Sequence, residues 1–341
     1  MTRKSDEEDM RTTQLILIEG ISGSGKSTMA HYLSRQLTQH GIQHTWWYEE
    51  DKWHPLYPFR DQASMQQVLD TLATDNYGLI IDAVLKLWQQ FADSVQSSED
   101  VVIMDSCLFG YLTGVLFPFN IPLTEIQAYL THVEQIISSL SPCLIYLYQN
   151  DLANAIRKKC QRRGVDEESI TLQATESAYG KNRNLQEFDG MLHYWTDYRH
   201  FTDTAFSNIG FANLSIENSA GDWLHYQQQV LDFLDLLPLP ELTLSLEVLD
   251  RFTGTYSFTE DDTKHDCVVR REQNDLFLNG VSYIWPNNRL IPRSRQVFEV
   301  DSFPYTVHFE VHEGIHSMRM TGPEQLFCVV NNVFIRDDSH S

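Results

Sequence analysis

Apolar residues follow two rhythms along this chain. Up to about residue 237, short continuous apolar runs alternate with longer stretches in which apolar residues return every three or four positions. The runs are Gln14-Leu-Ile-Leu-Ile-Glu19, the aromatic Thr45-Trp-Trp-Tyr-Glu49, Val101-Val-Ile-Met-Asp105, Cys143-Leu-Ile-Tyr-Leu-Tyr148 and Phe211 to Ile216. Such runs, bounded by polar residues, predict strands buried on both faces. The three-to-four spacing predicts helices over Met29 to Gln39, Asp61 to Thr74 and Leu79 to Val95. It continues to Leu140, with a second segment opening after Pro122 and Thr124 as its cap. Further helices are predicted over Asp151 to Arg163, stopped by Gly164, then Glu167 to Tyr179, Asn184 to Phe206 and Trp223 to Leu236. Strands alternating with helices predict an α/β fold, a parallel sheet with helices on both faces and ligands at the carboxyl ends of the strands.

Beyond Pro240 the rhythm changes. Gly254-Thr-Tyr-Ser-Phe258, Cys267-Val-Val-Arg270, Leu276-Phe-Leu-Asn-Gly280, Val297-Phe-Glu-Val300, Val307 to His312 and Leu326 to Val330 read as short strands between turn residues. They predict a small antiparallel β domain, a sheet or a barrel. The expected organisation is a disordered tail over 1–13, an α/β domain over 14–237, a linker over 238–244 around Pro238-Leu-Pro240, and the β domain over 245–341.

The most specific stretch lies between the first strand and the first helix. Gly20-Ile-Ser22-Gly23-Ser24-Gly25-Lys26-Ser27-Thr28 has the G-x-x-x-x-G-K-[ST] spacing of a phosphate loop (Walker A), in the strand-to-helix context that motif requires. Glycines let successive backbone N–H groups converge on an anion, and the new helix adds its positive dipole end. Lys26 reaches the outer phosphates, and the Ser27 hydroxyl is placed for Mg²⁺. The expected ligands are ATP and Mg²⁺.

Three other places could carry chemistry. Asp105 ends an apolar run as a Walker B carboxylate does, although an aspartate there can also cap the following helix. Glu49, Glu50 and Asp51 follow the second strand, where a kinase needs a carboxylate to take a hydroxyl proton; either Glu49 or Glu50 suits that role. Trp46, Trp47, Tyr48 and Trp53 nearby could stack on a flat substrate. The densest basic cluster is Arg157-Lys-Lys-Cys-Gln-Arg162-Arg163, whose Arg157, Arg162 and Arg163 could close over a migrating phosphoryl group. Lys181 and Arg183 are further basic candidates of the same kind.

Charge narrows the partners. With 47 acidic against 25 basic residues the net charge is -22, which opposes a bulk grip on nucleic acid or an anionic membrane. The 5 cysteines never take C-x-x-C spacing, which argues against a disulfide framework or zinc site and for a reducing, cytoplasmic setting. The first residues lack the apolar core of a signal peptide. A homodimer is compatible with the pattern.

The order of parts resembles the thymidylate kinase and deoxynucleoside kinase group of P-loop kinases, over about residues 14–237. The likeness rests on GISGSGKST, on YEEDKWHP after the second strand, on VVIMDS, and on SPCLIYLYQNDLANAIRKKCQRRG with its lid-like arginines. It implies transfer of the γ-phosphoryl group of Mg-ATP, with Lys26, Ser27, Glu49 or Glu50, Asp105, and Arg157, Arg162 or Arg163 in the family roles. One position departs. The group has Arg directly after the third-strand acid to hold the acceptor; this chain has Ser106, which leaves the acceptor open. The C-terminal part, with LDRFTGTYSF and NRLIPRSRQVFEV, looks similar to the small β domain appended to some β-lactamase-like proteins.

The leading expectation is a small-molecule kinase acting on a hydroxyl or phosphate acceptor, a nucleoside or nucleotide among them. The alternatives are a regulatory switch NTPase with a sensing β domain, and a ligand sensor whose kinase part is degenerate. The intact Lys26-Ser27 pair opposes the last.

Overall fold

The computed structural model describes residues 13–260, 263–326, 328 and 330–337. The tail expected over 1–13 lies, apart from Thr13, outside them. Contacts divide the chain into two compact units: one runs to Leu239, and the second comprises residues 162–164 with those from Pro240 onward.

The first unit begins with β1 (Leu15–Glu19), α1 (Lys26–Gln39), β2 (His44–Trp47), α2 (Gln62–Leu72), α3 (Tyr77–Gln96) and β3 (Val101–Asp105). A wide, π-type helical segment, Cys107–Leu112, then runs into α4 (Thr113–Leu116). Next come α5 (Leu123–Ile137), β4 (Cys143–Tyr148), α6 (Leu152–Arg163), α7 (Glu167–Thr175), α8 (Ala178–Asn182), α9 (Glu187–Ser207), β5 (Ala212–Glu217) and α10 (Trp223–Phe233). The strands form one parallel sheet in the order β2-β3-β1-β4-β5.

The continuous apolar runs follow from helices covering both faces. Leu15, Leu17, Val102, Met104, Leu144 and Tyr146 join the core that holds Trp88 of α3, Tyr129 of α5 and Met191 of α9. The alternating Ile16, Ile18, Ile103, Ile145 and Leu147 join a second core with Met29 and Leu33 of α1 and Val230 of α10. β1 lies between β3 and β4 with every residue buried, so its carboxyl end, where the phosphate loop begins, is rigidly framed.

Several boundaries differ from the expectation. α1 opens at Lys26, because Gly25 takes the cap position that the glycine-rich loop supplies. Thr124 does not cap α5; Pro122 holds that position, without a side-chain cap bond. The helix expected over Glu167 to Tyr179 ends at Thr175, and Ser177 restarts the chain as α8 by accepting from the Gly180 N–H. α9 starts at Glu187 rather than Asn184, which has left-handed φ 53°.

The second unit carries α11 (Leu246–Asp250), β6 (Gly254–Glu260), β7 (Thr263–Glu272), β8 (Asp275–Asn279), β9 (Asn288–Pro292), β10 (Val297–Val300), β11 (Thr306–His312), β12 (Ile315–Thr321) and β13 (Asn331–Arg336). The strands close into an antiparallel barrel in the order β10-β11-β12-β13-β6-β7-β8-β9. Alternate residues such as Leu276 and Leu278, Phe298 and Val300, and Met318 and Met320 fill the interior. β9 and β12 have no counterpart among the expected strands. The strand expected over Leu326 to Val330 is replaced by β13, and Phe327 and Val329 lie outside the described residues.

Candidate functional site

The site is built on the loop that joins β1 to α1. Gly25 caps α1 with φ 93°, a conformation open to glycine, and a Cβ there would lie 2.2 Å from the Trp223 ring. The loop is held from below as well: Asn218, just after β5, donates its Nδ2 to the Ser24 carbonyl at 2.6 Å. Lys26 is buried and its Nζ donates to the Ile21 carbonyl at 3.1 Å, folding the ammonium back over the loop. The first turn of α1 contains no acidic residue, so its N–H groups and dipole keep their positive field. Ser22, Gly23, Ser24, Ser27 and Thr28 complete the cradle; Ser24 and Ser27 are buried.

The acid expected at the tip of β3 lies beside it. Parallel pairing sets Ile18 opposite Asp105, which brings the carboxyl group, fully buried, next to the loop. Its Oδ1 accepts from the Trp46 indole at 3.3 Å, and the nearby Ser27 hydroxyl favours the charged form of the same carboxyl group. Its Oδ2 is buried with no partner among the described residues. Burial pushes the Asp105 carboxyl up to about 7, with the Glu49 charge adding to it and Ser27, Lys26 and Trp46 opposing. The buried Ser24 and Ser106 hydroxyls and the Asn218 Oδ1 likewise lack partners, so unsatisfied polar atoms gather around one loop.

That donor set fits Mg²⁺. A hydroxyl and a carboxylate oxygen are hard donors, and Mg²⁺ takes one or two such groups and fills its shell with phosphate oxygens and water. No cluster of three or more His, Cys, Asp or Glu side chains suited to a metal occurs among the described residues.

Of the acids after β2, Glu49 is the one whose charge acts on Asp105 and on the phenol of Tyr57, which donates to the Glu49 backbone carbonyl. Glu50 is exposed, and buried Asp51 accepts the Trp53 N–H at 2.8 Å to hold the turn. Trp46 stacks on His31 with centroids 5.4 Å apart. Trp53 is 55% exposed, with Lys52 and Arg60 at 5.5 and 5.9 Å from its ring.

The basic cluster divides. Arg157 lies over the Phe188 ring at 4.5 Å and 3.8 Å from Glu167. Arg162 and Arg163, in the last turn of α6, belong to the second unit. Lys159 is the member that reaches the phosphate loop: a Cβ on Gly23 would sit 3.0 Å from its stem.

Three further residues escaped the sequence reading, Glu19, Asn218 and Trp223, and Lys159 was read only as part of the basic cluster. Glu19 is fully buried and accepts from the N–H groups of Leu108, Phe109 and Gly110 at 2.5, 3.1 and 3.3 Å. It ties the phosphate-loop strand to the helical turn after β3. Burial pushes its carboxyl up to about 7 against those donors and Lys26. A carboxylate closing an otherwise apolar run, directly before Gly20, was the available signal. Asn218 and Trp223 left none, since each is placed by tertiary contacts alone.

No protein-family description and no curated protein matches the chain. Among solved structures it is similar to thymidylate kinase from Ehrlichia chaffeensis, at 11% identity and TM-score 0.37, covering 66% of this chain and 99% of that one. It is also similar to the YorR protein of Bacillus subtilis in complex with phosphorylated GDP, at 17% identity and TM-score 0.35, covering 65% and 95%. A third is shikimate kinase from Acinetobacter baumannii in complex with shikimate, at 12% identity and TM-score 0.32, covering 66% and 94%.

Proposed function

We propose that residues 14–237 form an ATP-dependent small-molecule kinase that transfers the γ-phosphoryl group of Mg-ATP to a hydroxyl or phosphate acceptor. The observation that carries this reading is a buried Asp105 whose Oδ2 has no partner among the described residues, close to Ser27 in a loop of full phosphate-loop spacing. Ser27 and Asp105 would hold the cation, which neutralises charge on the outer phosphates. Lys26, the loop N–H groups and the α1 dipole bind the phosphates and stabilise the charge that spreads over the migrating group. Glu49 stands next to Asp105 as the base: it takes the acceptor's hydroxyl proton as the new P–O bond forms and the bridging P–O bond breaks, releasing ADP. The stem of Lys159 packs against Gly23 of the loop.

Incubation of the full chain with labelled ATP and Mg²⁺ over hydroxylated small molecules, nucleosides and nucleotides tests the reading. Acceptor-dependent transfer is expected, and Lys26→Ala should lower it by about a hundredfold or more while the fold persists. Equal turnover by the wild type and Lys26→Ala, or hydrolysis indifferent to every acceptor, contradicts it.

A further inference from the structure

Three backbone N–H groups converge on one carboxyl group at the foot of the phosphate loop. Leu108 donates to Oε1 of Glu19 at 2.5 Å, and Phe109 and Gly110 donate to its Oε2 at 3.1 and 3.3 Å. Glu19 closes β1 directly before Gly20, and the three donors follow shortly after Asp105, the last residue of β3. One fully buried side chain therefore joins the strand that starts the phosphate loop to the turn that follows its carboxylate neighbour.

The turn is built around that contact. Ser106 takes a left-handed conformation, φ 63° and ψ 24°, which is unfavourable for any residue with a side chain and turns the chain directly after Asp105. Its N–H donates to the Ile18 carbonyl at 3.0 Å, one residue before Glu19. The carbonyls of the turn are tied as well: Leu108 accepts from the Thr113 hydroxyl at 2.8 Å, and Phe109 accepts from the Tyr198 hydroxyl. Gly110 leaves no room for a side chain, since a Cβ there would lie 2.7 Å from the Ser106 Cβ and 4.0 Å from the Glu19 Oε2. Without the carboxylate, three N–H groups lose their acceptor, and a buried unpaired donor is unfavourable enough to shift the backbone that carries it.

Building on the kinase reading, we propose that Glu19 is a positioning residue: it fixes the Asp105–Ser106 tip against the phosphate loop, so that the Asp105 carboxylate is already in place for the cation that accompanies the nucleotide. Partners one step behind a metal ligand commonly set its orientation and its affinity for the metal. An amide cannot replace this carboxylate. Gln offers one oxygen and one NH₂, and with donors arriving at both oxygens of Glu19 the NH₂ must face at least one N–H.

Calorimetric titration of the full chain with a non-hydrolysable ATP analogue, with and without Mg²⁺, tests this without requiring turnover. The titrations are run at about pH 8, above the Glu19 value of about 7. The readout is the gain in analogue affinity that Mg²⁺ adds, a coupling between two ligands that lowered stability of a folded variant does not by itself alter. In the wild type Mg²⁺ should tighten binding about tenfold or more; in Glu19→Gln the gain should fall to about threefold or less, with metal-free binding kept within about twofold. Gly110→Ala presses on Ser106 while leaving Glu19 intact, so it should show the same loss, and it carries the test should Glu19→Gln fail to fold. Ile137→Ala, a cavity variant in the last turn of α5, should lose stability and keep the whole gain. A gain that folded Glu19→Gln or Gly110→Ala retains, or one that Ile137→Ala loses as well, overturns the proposal. Weaker metal-free binding with the gain intact also overturns it, because the effect would then run through Lys26, whose charge acts on Glu19. A wild type that binds no analogue, or gains nothing from Mg²⁺, overturns the kinase reading, and the positioning role falls with it.

Discussion

Two carboxyl groups, Glu19 and Asp105, sit fully buried on neighbouring strand tips with their proton affinities raised by burial to about 7. Each keeps its proton in the folded chain at pH values where the unfolded chain has lost it. Between about pH 4 and pH 7 the folded state therefore binds more protons, and stability falls as pH rises through that window. Urea unfolding of the nucleotide-free protein should show a lower midpoint at about pH 8 than at about pH 5, and Glu19→Gln should flatten the difference. A slope unchanged by that substitution would show that the group titrates normally. Gly25 makes a different kind of prediction. Gly25→Ala forces a side chain into φ 93° and into the Trp223 ring, so a loss of about 1–3 kcal/mol and weakened nucleotide binding are expected from thermal melts and calorimetry. At this scale the sequence was legible where a residue's role follows from its neighbours in the chain, as with Lys26 and Ser27. It was illegible where the role is made by a distant element, as with Asn218 under Ser24, 194 positions away.

The elements of the first unit could be read because each strand is covered on both faces, which gives an uninterrupted apolar run. Boundaries were less legible, since side-chain events decide them. Ser177 ends one helix and starts another, and no periodicity registers that. In the barrel, β12 escaped because Ile315 is exposed while Met318 and Met320 point inward, a pattern that does not stand out among polar neighbours. Contact between elements also carries energy that can be measured. Trp88 of α3, wholly buried, donates its indole N–H to the Tyr129 hydroxyl of α5 at 2.9 Å. Tyr129→Phe keeps the ring and strands that donor, so a destabilisation of about 1–3 kcal/mol is expected, read as a shift of the urea midpoint. In a double-mutant cycle with Trp88→Phe, the double variant should lose less than the sum of the two single losses, because the unpaired indole N–H is then gone.

At the scale of the whole molecule, two units with separate interiors should melt as two events. Differential scanning calorimetry should resolve two transitions, and Mg²⁺ with an ATP analogue should raise one midpoint only, since a ligand stabilises what it binds. A single transition moved as a whole would instead show one cooperative body. The closed barrel has one more consequence. Open sheets offer unpaired N–H and C=O groups along their rims, which invite another chain to continue the ladder. With β9 joined to β10 and β13 to β6, the eight strands of this ring spend those groups on one another. A protein that recognises this unit must therefore read mainly side chains and connecting loops, and among the described residues the ladder is thinnest at the β13–β6 seam, where only Ile335 with Ser257 and Arg336 with Tyr256 are paired.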